Sequence, residues 1–105
     1  MDVIEIYKDV IDLTESSELK GKNMLYTSTN GYMYSLMNKM GQLGFRLSKE
    51  DQKEFDKKHG AEPFKSHGAT MRDYVLIPEG LLDDKKILAA WLTRARNYVS
   101  TLKPK

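Results

Sequence analysis

The sequence predicts an α+β domain of two layers, with an antiparallel sheet of about five strands and helices packed mainly on one face. Three features carry this expectation. Asn30-Gly31 stands between two β-prone runs, the pattern of a tight hairpin. Leu88, Trp91, Leu92, Ala95, Tyr98, Val99 and Leu102 form one apolar stripe at helical spacing. Between them, strand-like and helix-like segments follow in the order α-β-β-β-α-β-β-α.

The elements follow in order. Val3, Ile6, Tyr7, Val10 and Leu13 recur at helical spacing, with Asp2, Glu5, Lys8, Asp9 and Asp12 between them. This predicts an amphipathic helix that stops at the polar connector "TESSELKGK". In "NMLYTSTNGYMYSLM", a two-residue type I′ turn needs positive φ at both central positions, which Asn and Gly tolerate. Such a turn sets Thr29 opposite Tyr32, Thr27 opposite Tyr34 and Leu25 opposite Leu36. The other face then pairs Met24, Tyr26 and Ser28 with Met37, Ser35 and Met33. Both faces of this hairpin are rich in apolar or aromatic groups.

"NKMGQLG" reads as a second turn and "LGFRL" as a third strand. "SKEDQKEFDKKHG" predicts a short charged helix. Ser48 caps it, Asp51 stands three residues on in a capping-box position, Gly60 stops it, and Phe55 is its main apolar contact. "AEPFK" and "MRDYVLI" read as two further strands, the second ended by Pro78. The final helix should run from about Asp84 to Leu102.

A chain of 105 residues, two-fifths hydrophobic and 30% charged, suits one globular domain over residues 1–105 with one core. It has no cysteine, so disulfides, thiolate metal sites and thiol nucleophiles are excluded. The opening "MDVIEIYKDV" lacks the basic and apolar regions of a signal peptide, and no apolar run is long enough to span a bilayer. A cytoplasmic location with no membrane partner is the expectation.

Charge is uneven although the net is only +2. Residues 1–19 carry six acids and one lysine; residues 20–47 carry Lys20, Lys22, Lys39 and Arg46 and no acid. Asp83 and Asp84 open the last helix, and Arg94, Arg96, Lys103 and Lys105 stand in or after its second half. That order complements a helix dipole without any partner.

Few residue groups suggest chemistry. In "KSHGATMRDYVLIP", His67, Arg72 and Tyr74 form a candidate ligand or anion loop. Arg72 and Asp73 are strand neighbours and point to opposite faces, so at most one of them can join His67 on a given side. His59 sits at a helix end, where a cationic imidazole suits the dipole. The two histidines fit no metal pattern, the serines sit in no nucleophile elbow, and no phosphate-binding glycine motif occurs. No catalytic residue, cofactor or metal is expected. Tyr26, Tyr32 and Tyr34 with the nearby lysines and Arg46 could stack nucleic-acid bases. Tyrosines also suit strands for packing reasons alone, and the spacing of an RNA-binding motif is absent. Tyr32 and Tyr34 are therefore assigned as a candidate interface for a protein partner or a second copy, with Met33 and Met37 in the core.

The stretch "GFRLSKEDQKEFDKKHGAEPF" resembles the middle of the N-terminal domain of TfoX/Sxy competence regulators. "MRDYVLIPEGLLDDKKILAAWLTRARNYVSTLKPK" is similar to that domain's close. The likeness covers about residues 20–105 through many moderate matches. One departure stands out: where members commonly carry Met-Phe-Gly-Gly, this chain has Met24-Leu25-Tyr26-Thr27. The resemblance implies a two-layer fold with an antiparallel sheet and no catalytic residues to carry over. It also implies a stand-alone domain, since the helix-hairpin-helix domain that follows in the regulators has no counterpart here. The function expected is non-enzymatic binding, as an accessory regulatory protein acting through protein contacts or self-association. The alternatives are a small-ligand or anion-binding protein using the 65–74 loop, and a nucleic-acid accessory protein.

Overall fold

Asp2 starts the first helix by accepting hydrogen bonds from the amides of Ile4 and Glu5 at 3.0 and 3.4 Å, a side-chain N-cap. The structure, a computed structural model, describes residues 2–14, 18–22 and 24–104. Helix α1, Val3–Asp12, buries Ile6, Tyr7, Val10 and Ile11. Leu13 was expected on the same stripe but is 53% exposed. The helix ends before it, so Ile11 takes the inward place.

Strands β1, Tyr26–Thr29, and β2, Tyr32–Met37, meet at Asn30 (φ 57°) and Gly31 (φ 83°), as a type I′ turn requires. Thr29 pairs with Tyr32 and Ser28 with Met33, the predicted register. Then the register shifts: Thr27 pairs with Ser35, not Tyr34, and Tyr26 with Leu36, not Ser35. A β-bulge puts one extra residue in β2. Tyr34 joins the core under the helices, and Ser35 bonds to Tyr7 of α1, so two neighbours face the same way. Beneath α1 the Tyr7 hydroxyl lies 2.5 Å from Ser35 Oγ, which lies 2.5 Å from Thr27 Oγ1. All three residues are fully buried, so this chain satisfies polar atoms that water cannot reach.

β3 is Leu43–Arg46. Helix α2, Lys49–His59, is capped by Ser48, which accepts from the Asp51 amide at 3.1 Å, and it stops at Gly60 (φ 79°). β4, Pro63–Ser66, and β5, Ala69–Leu76, meet at a second tight turn, His67 (φ 55°) and Gly68 (φ 75°). Pro78 leads into one 3-10 turn, Glu79–Leu81, which the sequence did not suggest. Helix α3, Lys85–Ser100, starts at Asp84, whose side chain accepts from the Ile87 amide.

The five strands form one antiparallel sheet in the order β1-β2-β3-β5-β4. The element order is the predicted α-β-β-β-α-β-β-α. The main core lies between sheet and helices, around Tyr7, Tyr34, Phe45, Phe55, Leu88 and Leu92. The other face carries a smaller cluster of Leu36, Phe64 and Tyr74, with Met24, Tyr26, Met33, Met71 and Leu76 packed against it.

An irregularity in the β4–β5 pairing shapes that second face. Pro63 pairs with Val75 and Lys65 with Thr70, so Phe64 alone stands against residues 71–74, where Asp73 takes φ 68°. The hairpin thereby reaches back to its neighbours. The Phe64 ring lies only 2.4 Å from where a Cβ on Gly44 would stand. Asn38 Nδ2 donates to the Lys65 carbonyl at 2.8 Å, and the Tyr74 hydroxyl donates to the Met33 carbonyl at 3.0 Å. Both sheet edges are guarded. Lys20 pairs with Tyr26 along β1, while β4 carries Pro63 and an exposed Lys65.

Candidate functional site

The turn between β2 and β3 is organised by one side chain. Asn38 Oδ1 accepts from the amides of Met40 and Gln42, both at 3.0 Å. Its Nδ2 donates to Gln42 Oε1 at 2.9 Å and to the Lys65 carbonyl. Asn38 is 8% exposed, so these bonds are shielded and the turn is held from both sides. At its tip Met40 is 82% exposed. With the turn backbone already fixed, binding has only the Met40 side chain left to order.

Two adjoining concavities flank this turn and share Val3 and Gly41. One, of about 670 Å³, lies between the start of α1 and Met37–Lys39. The other, of about 550 Å³, is walled by Leu43, Leu76, Ile77, Pro78 and Leu82. Together they form an open groove at the end of the sheet. Ile4, 42% exposed, stands on its α1 side. Asp2, Glu62 and Glu79 are acids on its rim, and Lys39 is a base beside Met40.

The predicted ligand loop is not assembled. His67 is exposed at the tip of the β4–β5 turn, and Arg72 is exposed in the bulge. Tyr74 is 8% exposed and stacks on Phe64 at 5.9 Å, inside the small cluster. Burial pushes the Tyr74 hydroxyl up to about 12, against the opposing pull of the Arg46 charge. Burial raises the Tyr7 hydroxyl further still, and its hydrogen bond to Ser35 offsets only part of this.

The hairpin tyrosines divide. Tyr34 is 1% exposed and lies in the main core, which corrects its assignment to an interface. The bulge in β2 turned it inward. Tyr32 is partly exposed; its hydroxyl donates to the Lys103 carbonyl at 2.6 Å, and the Arg46 guanidinium lies 5.4 Å from its ring centre. Tyr26 packs on the opposite face with Phe64, so the three hairpin tyrosines form no common stacking platform. Met37 packs against the main core as expected, while Met33 packs on the small cluster.

Two bases of α3 also find partners: Lys85 pairs with Asp9 of α1, and Arg94 pairs with α2. Arg94 bonds to Glu54 at 2.6 Å and Asp51 at 3.4 Å on α2, and its guanidinium lies 4.6 Å from the Trp91 ring centre. It serves a neighbouring helix rather than its own dipole. Its hydrogen bond holds the Glu54 carboxyl below the usual range. His59 packs against Phe55 and Trp91 at 5.2 and 6.2 Å between ring centres. Lys105 lies outside the described residues. Among the described residues no three His, Asp or Glu side chains are placed to hold a metal ion. No described helix is long and apolar enough to cross a membrane.

The groove and Met40 were not anticipated. An apolar residue in a turn of Asn, Lys, Gly and Gln was the available signal.

The fold and site thus define an α+β domain with an open five-stranded antiparallel sheet and, at one end, an open groove of mixed apolar and polar lining. The sequence model of the TfoX N-terminal domain matches residues 24–97, more than half of the chain, and the chain belongs to that family. No curated protein matches it. Helix α1 precedes the matched span, so the groove combines residues from outside it (Asp2, Val3, Ile4) with residues inside it.

Proposed function

We propose that this TfoX N-terminal domain is a non-enzymatic binding module that acts by protein–protein contact through the groove at the end of its sheet. The observation that carries this is Met40, 82% exposed on a turn fixed by Asn38 and set beside apolar walls. Ile4, also exposed, lines the adjoining concavity, and apolar groups gathered beside a polar rim suit a contact surface. A flexible, unbranched methionine adapts to the shape it meets. An accessory role in regulation, exerted in the cytoplasm by contact, is the form of action this gives the domain.

The test is a photo-crosslinking amino acid placed at position 40, with one at exposed Lys86 on α3 as control. Cross-links to protein from position 40 and not from position 86 are expected. No protein cross-link from position 40 in the cell of origin contradicts the proposal.

A further inference from the structure

We infer that the groove takes a second copy of the same chain across a two-fold axis, with the Lys39–Met40 tip of each copy seated in the groove of the other. This rests on the binding-module proposal and names its occupant.

The first argument is geometric. Tip and groove adjoin and share Gly41, so one two-fold rotation can satisfy both halves at once. The arrangement closes on itself and leaves no unsatisfied tip.

The second argument is chemical. The tip offers an apolar side chain and a cation; the groove offers apolar walls from Val3, Leu76, Ile77, Pro78 and Leu82 with acids on the rim. Glu62, Glu79 and Lys39 are all exposed, and none joins an ion pair among the described residues. Within one copy these charges sit around the same groove without pairing. A second copy brings Lys39 against the acids. Such complementarity fixes register and partner choice.

The third argument is by the other surfaces. Pairing along β1 meets Lys20, which already holds both the amide and the carbonyl of Tyr26. Pairing along β4 meets Pro63, which has no amide to give. On the helix-free face Met24, Tyr26, Met33, Met71 and Leu76 are already partly buried against Leu36, Phe64 and Tyr74. The groove is where a strongly exposed apolar side chain, Met40, stands together with exposed charges of both signs that a second copy can match.

Sedimentation velocity from about 10 µM to about 1 mM tests this, a range that covers weak association. The wild type should shift from monomer to dimer. Met40→Glu sets a carboxylate against an acidic rim and should weaken the dimer by about tenfold or more. Lys39→Glu, which keeps the apolar tip, should weaken it less. Because both side chains are exposed, each variant should keep the wild-type melting temperature at concentrations where the wild type is monomeric. A dimer indifferent to both substitutions overturns the inference and leaves self-association to another surface. A wild type that stays monomeric at about 1 mM also overturns it. In that case cross-links from position 40 to a different protein would preserve the binding-module proposal, and their absence would remove both.

Discussion

The helix-free face of the sheet and the groove at its end use the same kinds of side chain, and they meet solvent differently. Met33 and Met71 lie on the face, partly buried against Leu36, Phe64 and Tyr74. Met40 stands at the groove, 82% exposed. The face is packed more tightly: the Phe64 ring lies against Gly44, and Asn38 donates to the Lys65 carbonyl. The groove has no such packing from the chain itself among the described residues. The lesson is that alternation tells which side of a strand a residue faces, while curvature decides whether that side is open.

Removing the Phe64 ring is the strongest way to break this contrast. Phe64→Ala should cost about 3–5 kcal/mol, the range for a fully buried aromatic ring. Urea denaturation measures it; a loss below about 1 kcal/mol would mean that the face is not held by this ring. Gly44→Ala attacks the same contact from the other side. Its new methyl meets the ring at 2.4 Å, so about 1–3 kcal/mol should be lost. A neutral result would place Phe64 elsewhere.

On the helix-covered face, Tyr7→Phe removes the end of the buried hydroxyl chain and should cost about 1 kcal/mol. Tyr74 gives a pH-dependent version of the test. Its folded-state value is raised from 10.0 to about 12, so the folded chain holds this proton more tightly than the unfolded one. Its contribution is therefore complete below pH 10 and is lost as pH rises from 10 to about 12. Tyr74→Phe should flatten that part of the alkaline decline; an unchanged slope would mean that the hydroxyl is solvated. The smallest effect belongs to the groove. Met40→Glu should change stability by less than about 0.5 kcal/mol, and a larger loss would show Met40 to be packed.

Much of the architecture was readable in local chemistry. Ser48, Gly60 and Asp84 bound their helices because capping depends on one residue and its immediate amides. Asn30-Gly31 set the hairpin for a similarly local reason. Its Asn30 side chain does more, donating to the Val99 and Leu102 carbonyls at the end of α3. What failed was anything set by distant parts of the chain. Tyr34 reads as an outward strand tyrosine until Ser35 bonds to Tyr7 and Thr27 and shifts the register. His67-Gly68 reads as a loop because the strong hairpin signals are Asn-Gly and Asp-Gly, yet His67 takes the same positive φ and closes the β4–β5 hairpin. Sequence distance groups Tyr74 with His67, whereas strand alternation with core-facing Val75 sets it in the cluster on the helix-free face. Met40 was passed over as a turn residue, since exposure follows from what packs around a turn and no local pattern records it.

The most direct test of the groove as the contact surface is NMR of the methionine methyl groups at about 20 µM and about 1 mM, concentrations that bracket weak association. Met40 should shift most, with Met37 beside the groove following it, while Met33 and Met71 hold their positions. Movement of Met33 and Met71 with Met40 unchanged would put the contact on the sheet face and contradict the account.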